Sequence, residues 1–109
     1  PWDNDAPNSN LLNYNQNVGD TTEVGKFPAG ASIYGALDMA GNVWEWVRSL
    51  YQSYPYSARD GREDLNATGS QVLRGGAWND LNSGVRSASR LRFTPLSYGY
   101  FGFRCALSQ

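Results

Sequence analysis

Leu37 to Val47 reads L-D-M-A-G-N-V-W-E-W-V, and the rest of the chain is best read outward from it. Asp38, Asn42 and Glu45 are hard oxygen donors. Gly41 permits a tight turn that can aim carbonyls inward. Trp44 and Trp46 then alternate with Val43, Glu45 and Val47, the period-2 signature of a strand with one aromatic face. An oxygen-rich turn running into an aromatic strand suits two roles. One is a small Ca²⁺ cage, which needs six to eight oxygens. The other is a core nucleus, because two indoles bury a large apolar area.

The surrounding composition predicts loops. The chain has 109 residues, enough for one small domain, and carries 12 Gly, 4 Trp and 7 Tyr. Only 17% of residues are charged and the formal net charge is -1, which makes no electrostatic case for a nucleic-acid or membrane-surface partner. No apolar run approaches the roughly 20 residues of a membrane span. There is no His, so the commonest general base and the commonest transition-metal ligand are missing from this chain. A single Cys, Cys105, excludes an intrachain disulfide. The opening Pro1, in place of Met, reads as a processed or trimmed product and leaves the compartment open.

Upstream of the organising stretch, residues 1–22 are rich in Asn, Asp and Gly, with Trp2, Leu11, Leu12 and Tyr14 as anchors. This predicts a pinned surface loop. Downstream, the mixed charges from Arg59 to Asp64 predict a solvated loop. Gln71 to Trp78 predicts a short strand running into a Gly75-Gly76 bend. The alternation of Phe101, Phe103, Cys105 and Leu107 predicts a final half-buried strand. Arg74, Arg86, Arg90 and Arg104 are read as loop ties, each donating several hydrogen bonds. Glu45 is then expected to pair with Arg74 or Arg86 if it binds no ion.

Several segments together resemble one family: P-W-D-N at 1–4, T-T-E-V-G-K-F-P-A at 21–29, L-D-M-A-G-N-V-W-E-W-V at 37–47, V-L-R-G-G-A-W at 72–78, and R-S-A-S-R, Pro95 and G-F-R-C-A to the end. In order, they match the C-terminal part of the formylglycine-generating-enzyme/sulfatase-modifying-factor domain. The resemblance implies an α+β, C-type-lectin-like fold, loop-rich, with little regular secondary structure and short antiparallel strands. It implies that residues 1–109 are the C-terminal part of such a domain, with the N-terminal part absent from this chain. An associated N-terminal fragment of the same protein is therefore one expected partner.

The resemblance also implies a structural Ca²⁺ site at Asp38, Gly41, Val43 and Glu45, and a looser second site at Asn13 and Tyr14. It does not extend to the oxidase cysteine pair, which would fall within Ala77 to Arg90. The expectation is a non-enzyme, with the C-terminal part of an oxidase or sulfatase-modifying accessory protein as the alternative. Some proteins of this fold are the variable receptors of diversity-generating retroelements, varied between the R-G-G segment and G-F-R. A recognition surface favours rigid aromatics among adaptable small polars. Asn79, Asp80, Asn82, Ser83, Arg92, Thr94, Ser97, Tyr98 and Tyr100 supply that mixture. They are the expected contacts to a protein or surface ligand. Phe93 and Phe101 are expected in the core. On this receptor reading the protein would be surface-displayed, secreted or virion-associated.

Overall fold

The computed structural model describes residues 1–93 and 101–106. Among these residues there are four short strands: β1 (Trp44–Leu50), β2 (Gln71–Arg74), β3 (Leu91–Phe93) and β4 (Phe101–Gly102). They form one sheet in the order β3-β2-β1-β4. The remaining described residues are loops, turns and one 3-10 turn, Pro28–Gly30, where proline's fixed φ suits the first helical position. No α-helix occurs among the described residues, so the α part of the expected α+β class is not seen in them.

β1 and β2 pair antiparallel, with Glu45 opposite Arg74, Trp46 opposite Leu73 and Val47 opposite Val72. The register then slips between Val47 and Leu50, a bulge that bends the strand. β2 pairs antiparallel with β3. β4 departs from expectation. It runs parallel to β1, with Trp44 beside Phe101 and Glu45 beside Gly102. It also ends at Gly102, and Phe103 and Cys105 beyond it are exposed. The alternation 101-103-105 therefore marks extended chain at a sheet edge and not a half-buried strand; Leu107 lies outside the described residues.

The sheet curls. β3 and β4 are its two edges, yet the Phe93 and Phe101 rings meet edge-to-face with centroids 5.0 Å apart. In a flat sheet, strands lie about 4.8 Å apart, so edges three spacings apart would not touch. Trp46 lies against the same Phe101 ring at 5.6 Å. Below these rings Trp44, Leu73 and Ala77 form one buried cluster. Leu12, Tyr14, Ala40 and Val85 form another, joined by Trp2 and Leu11. The pinned N-terminal loop is thus half of the core and not a fringe to it.

Candidate functional site

The turn at residues 38–43 is where the loops meet. Asp38, Gly41 and Asn42 all have positive φ, a region that Gly and Asn enter at low cost. A side chain at Gly41 would be impossible, since its Cβ would stand 2.4 Å from the Asn13 carbonyl oxygen. Asn42 joins four segments. Its N–H donates to the Asn13 carbonyl at 2.8 Å, and its own carbonyl accepts from the Trp78 N–H at 2.9 Å. Its side-chain Oδ1 accepts from the Thr22 N–H at 2.8 Å and from the Asn13 amide at 3.2 Å, while its Nδ2 donates back to the Thr22 carbonyl. The Gly41 N–H reaches the Gly75 carbonyl at 2.9 Å.

Asp38, Gly41, Val43 and Glu45 all line one open, mainly apolar cavity of about 590 Å³, together with Val24, Leu37, Phe103 and Arg104. Glu45 pairs with neither Arg74 nor Arg86. Its carboxylate takes both Nε and Nη2 of Arg104, each at 2.6 Å. The same guanidinium donates to the carbonyls of Leu37 at 3.0 Å and Asp38 at 2.8 Å. Hydrogen bonding to Glu45 is the main reason the Arg104 pKa is raised. The Arg104 side chain thus ties the last extended segment to the organising turn.

The donor set suits a hard cation in kind: two carboxylate residues, and two residues whose carbonyls are the donors, line one cavity. Several of those oxygens already carry hydrogen bonds. Asp38 Oδ2 accepts from the Gly25 N–H at 2.7 Å, and the Gly41 carbonyl from the Val43 N–H at 2.9 Å. An ion here would share the Glu45 carboxylate with Arg104. At the looser position, Asn13 is buried and its Nδ2 donates to the Asp20 carbonyl at 2.8 Å, while its Oδ1 has no hydrogen-bond partner among the described residues. A buried orphan acceptor is unusual and suits a cation or a water. Tyr14 contributes differently, its hydroxyl donating to the Pro7 carbonyl.

The arginines read as loop ties behave as such. Arg74 Nη1 reaches the carbonyls of Ser87, Ala88 and Ser89 at 3.2–3.3 Å. Arg86 reaches the Ser83 carbonyl and Arg90 the Gln52 carbonyl. Arg90 also lies over the rings of Tyr51 and Tyr54, at 4.3 and 3.9 Å. Arg62 is a correction. The mixed charges around it predict a solvated loop, yet it is only 3% exposed. Its guanidinium holds the Asp60 carboxylate and the Ser53 carbonyl and lies over the Tyr56 ring. Charge density alone carried no sign that one residue of this run turns inward.

Of the expected ligand contacts, Asn79, Asn82, Ser83 and Arg92 are exposed, and their side chains hold no hydrogen bond among the described residues. Asp80 differs. Its carboxylate accepts from the buried Ala77 N–H at 2.8 Å, and its carbonyl accepts from the Asn15 N–H. Thr94, Ser97, Tyr98 and Tyr100 lie outside the described residues. Phe93 is partly exposed and Phe101 half-buried, held by their mutual contact.

A sequence profile of the sulfatase-modifying factor enzyme 1-like domain matches residues 1–109. The chain belongs to this family. It is 40% identical over 92 residues to the serine/threonine-protein kinase pkn1 of Chlamydia caviae, covering 80% of this chain and 15% of that one. It is 36% identical over 124 residues to the inactive C-alpha-formylglycine-generating enzyme 2 of Mus musculus, covering 99% of this chain and 36% of the relative. The Treponema denticola variable protein 1 shares its fold with a TM-score of 0.69 and 28% identity, over 86% of this chain and 34% of that structure. The chain thus spans about a third or less of each of these proteins. The loop-rich, few-stranded architecture resembles the matched part of the Treponema structure.

Proposed function

We propose that this domain is a non-catalytic ligand-binding module whose contact surface is carried by residues 79–100. The observation that carries the reading is the contrast between exposed, unengaged side chains at Asn79, Asn82, Ser83 and Arg92 and the closely bonded turn that supports them. Exposed loop side chains on a rigid scaffold are where binding function concentrates. The likeness to a protein named as variable supports the same reading. So does the chain's chemistry, which offers neither His nor a cysteine pair for redox work. Asn79, Asn82, Ser83, Arg92, Thr94, Ser97, Tyr98 and Tyr100 are the proposed contacts, with Asp80 shaping the loop that presents the first of them.

Ca²⁺ is proposed as a structural ion, held by Asp38, Gly41, Val43 and Glu45, with Asn13 and the Tyr14 backbone as a second, weaker position. It would supply charge and a cross-link between loops, and no reactive chemistry.

Sequencing this gene from sibling isolates tests the binding reading. Substitutions should concentrate at the contact positions between 79 and 100 and spare 38–47. An even spread would remove the variable surface and leave a plain binding module, whereas oxidation of a cysteine-containing peptide by the intact protein would overturn the reading in favour of the oxidase alternative.

A further inference from the structure

A second, smaller cavity of about 80 Å³ opens where β1 and β2 meet the loop after β1. Val47 and Val72 line it with Tyr54 and Tyr56, and Arg62, Arg74 and Arg90 share its wall. Three guanidiniums around so small a space repel one another unless anions accompany them. Arg62 has its anion, the Asp60 carboxylate. Neither Arg74 nor Arg90 has a carboxylate within ion-pair distance among the described residues.

Their ties to the loops leave donors over, because a guanidinium carries five N–H groups. Arg90 gives Nη1 to the Gln52 carbonyl at 2.8 Å. Arg74 gives Nη1 to the carbonyls of Ser87, Ala88 and Ser89, and its Nη2 reaches the Tyr54 hydroxyl at 3.4 Å. The remaining N–H groups of both hold no hydrogen bond among the described residues. The rings of Tyr51 and Tyr54 lie 4.3 and 3.9 Å from the Arg90 guanidinium carbon. Stacked rings take the face of a guanidinium, while its donors lie in its plane and stay available at the edge. Tyr54 feels the resulting field. The hydrogen bond from Arg74, with the charges of Arg74, Arg90 and Arg62, holds its pKa below the ordinary value.

We propose that the Tyr54–Arg74–Arg90 cavity is an oxyanion-binding site that takes one carboxylate or phosphoryl group. Its volume is that of about two or three waters, which suits one such head group. Guanidinium forks grip either head through paired, charge-assisted hydrogen bonds. The Tyr54 hydroxyl accepts from Arg74 and is left to donate its own proton to the anion. The cavity shares no lining residue with the one proposed for Ca²⁺, and the site stands whether or not residues 79–100 bind a ligand.

Phenylglyoxal, which modifies guanidinium groups, tests this residue by residue in the protein produced from its complete gene, with peptide mass spectrometry as the readout. Chloride holds the ionic strength constant, so general screening is the same in every sample. Inorganic phosphate should slow modification of Arg74 and Arg90 saturably, by about tenfold at about ten times the half-protecting concentration. Arg48, exposed on β1 and outside the cavity, should react at an unchanged rate. Arg90→Lys keeps the charge and loses the planar fork, so protecting Arg74 should then need at least about tenfold more phosphate. Phenyl phosphate separates two sources of the same head group. Protection at a lower concentration than phosphate assigns a head carried by a larger ligand that touches Tyr54 and Tyr56; equal or higher concentrations assign the free ion, and both support the site. Equal slowing of Arg48, no slowing of Arg74 and Arg90, an unshifted Arg90→Lys, or failure of Arg74 and Arg90 to react in chloride alone would overturn it.

Discussion

The 38–47 turn and strand differ from the 79–92 segment in where their polar groups go. Around Asn42, backbone and side chain are committed to Asn13, Thr22 and Trp78. Across residues 79–92, the backbone is tied down by arginines donating to carbonyls, while side chains such as Asn82 and Ser83 face outward. An anchor that grips carbonyls does not depend on which side chain is attached. This is how a loop can hold its shape while its residues change.

Substitutions can break this comparison or sharpen it. Asn42→Ala removes the acceptor of the Thr22 N–H and places Ala at a left-handed φ, so the loss should be about 3 kcal/mol in chemical denaturation. A loss near zero would mean the turn does not hold the loops. Asp80→Ala orphans the buried Ala77 N–H and should cost about 2 kcal/mol, marking Asp80 as scaffold within an otherwise tolerant segment.

Arg104→Gln breaks a partly exposed bidentate pair, worth about 1 kcal/mol at neutral pH. Thermal melts in Ca²⁺ and in chelator should then diverge more for this variant than for the parent, because Glu45 is released to an ion. The Arg62 hydrogen bond holds the Asp60 pKa below its ordinary value. That stabilisation is fully present above the unfolded-state pKa and is lost as pH falls through the folded one. The parent should therefore lose Tm more steeply than Asp60→Asn as pH drops below about 4. Smallest of all, Asn79→Ala, Asn82→Ala and Ser83→Ala, made singly, should each move stability by no more than about 0.5 kcal/mol while weakening ligand capture.

Much of the fold was legible because local chemistry dictated it. The Trp44–Val47 alternation became β1, the Gly75-Gly76 bend closed against Val85, and Leu12 and Tyr14 anchored the Asn-rich loop. Asp38, Gly41, Val43 and Glu45, the ion ligands that the family resemblance implies, line one cavity, and the ion itself stays a proposal. Four features escaped. Asn42, an oxygen donor of the turn by residue type, is also its junction. Arg62 turned inward, Glu45 chose Arg104, and β4 ran parallel to β1. The Asn42, Glu45 and β4 features depend on partners distant in sequence, the Glu45–Arg104 contact joining residues 59 positions apart, whereas Arg62 is held within its own loop by Asp60, Tyr56 and Ser53.

By itself, the sequence determined the kinds of element and the residue types that could sit in each: a positive-φ turn, an aromatic strand, arginines with donors to place. Those follow from backbone sterics and side-chain chemistry, which act over a few residues. Only the tertiary structure decided the pairings, because they depend on how the sheet curls. That curl brings Phe93 to Phe101, and it is a property of the packed strands together.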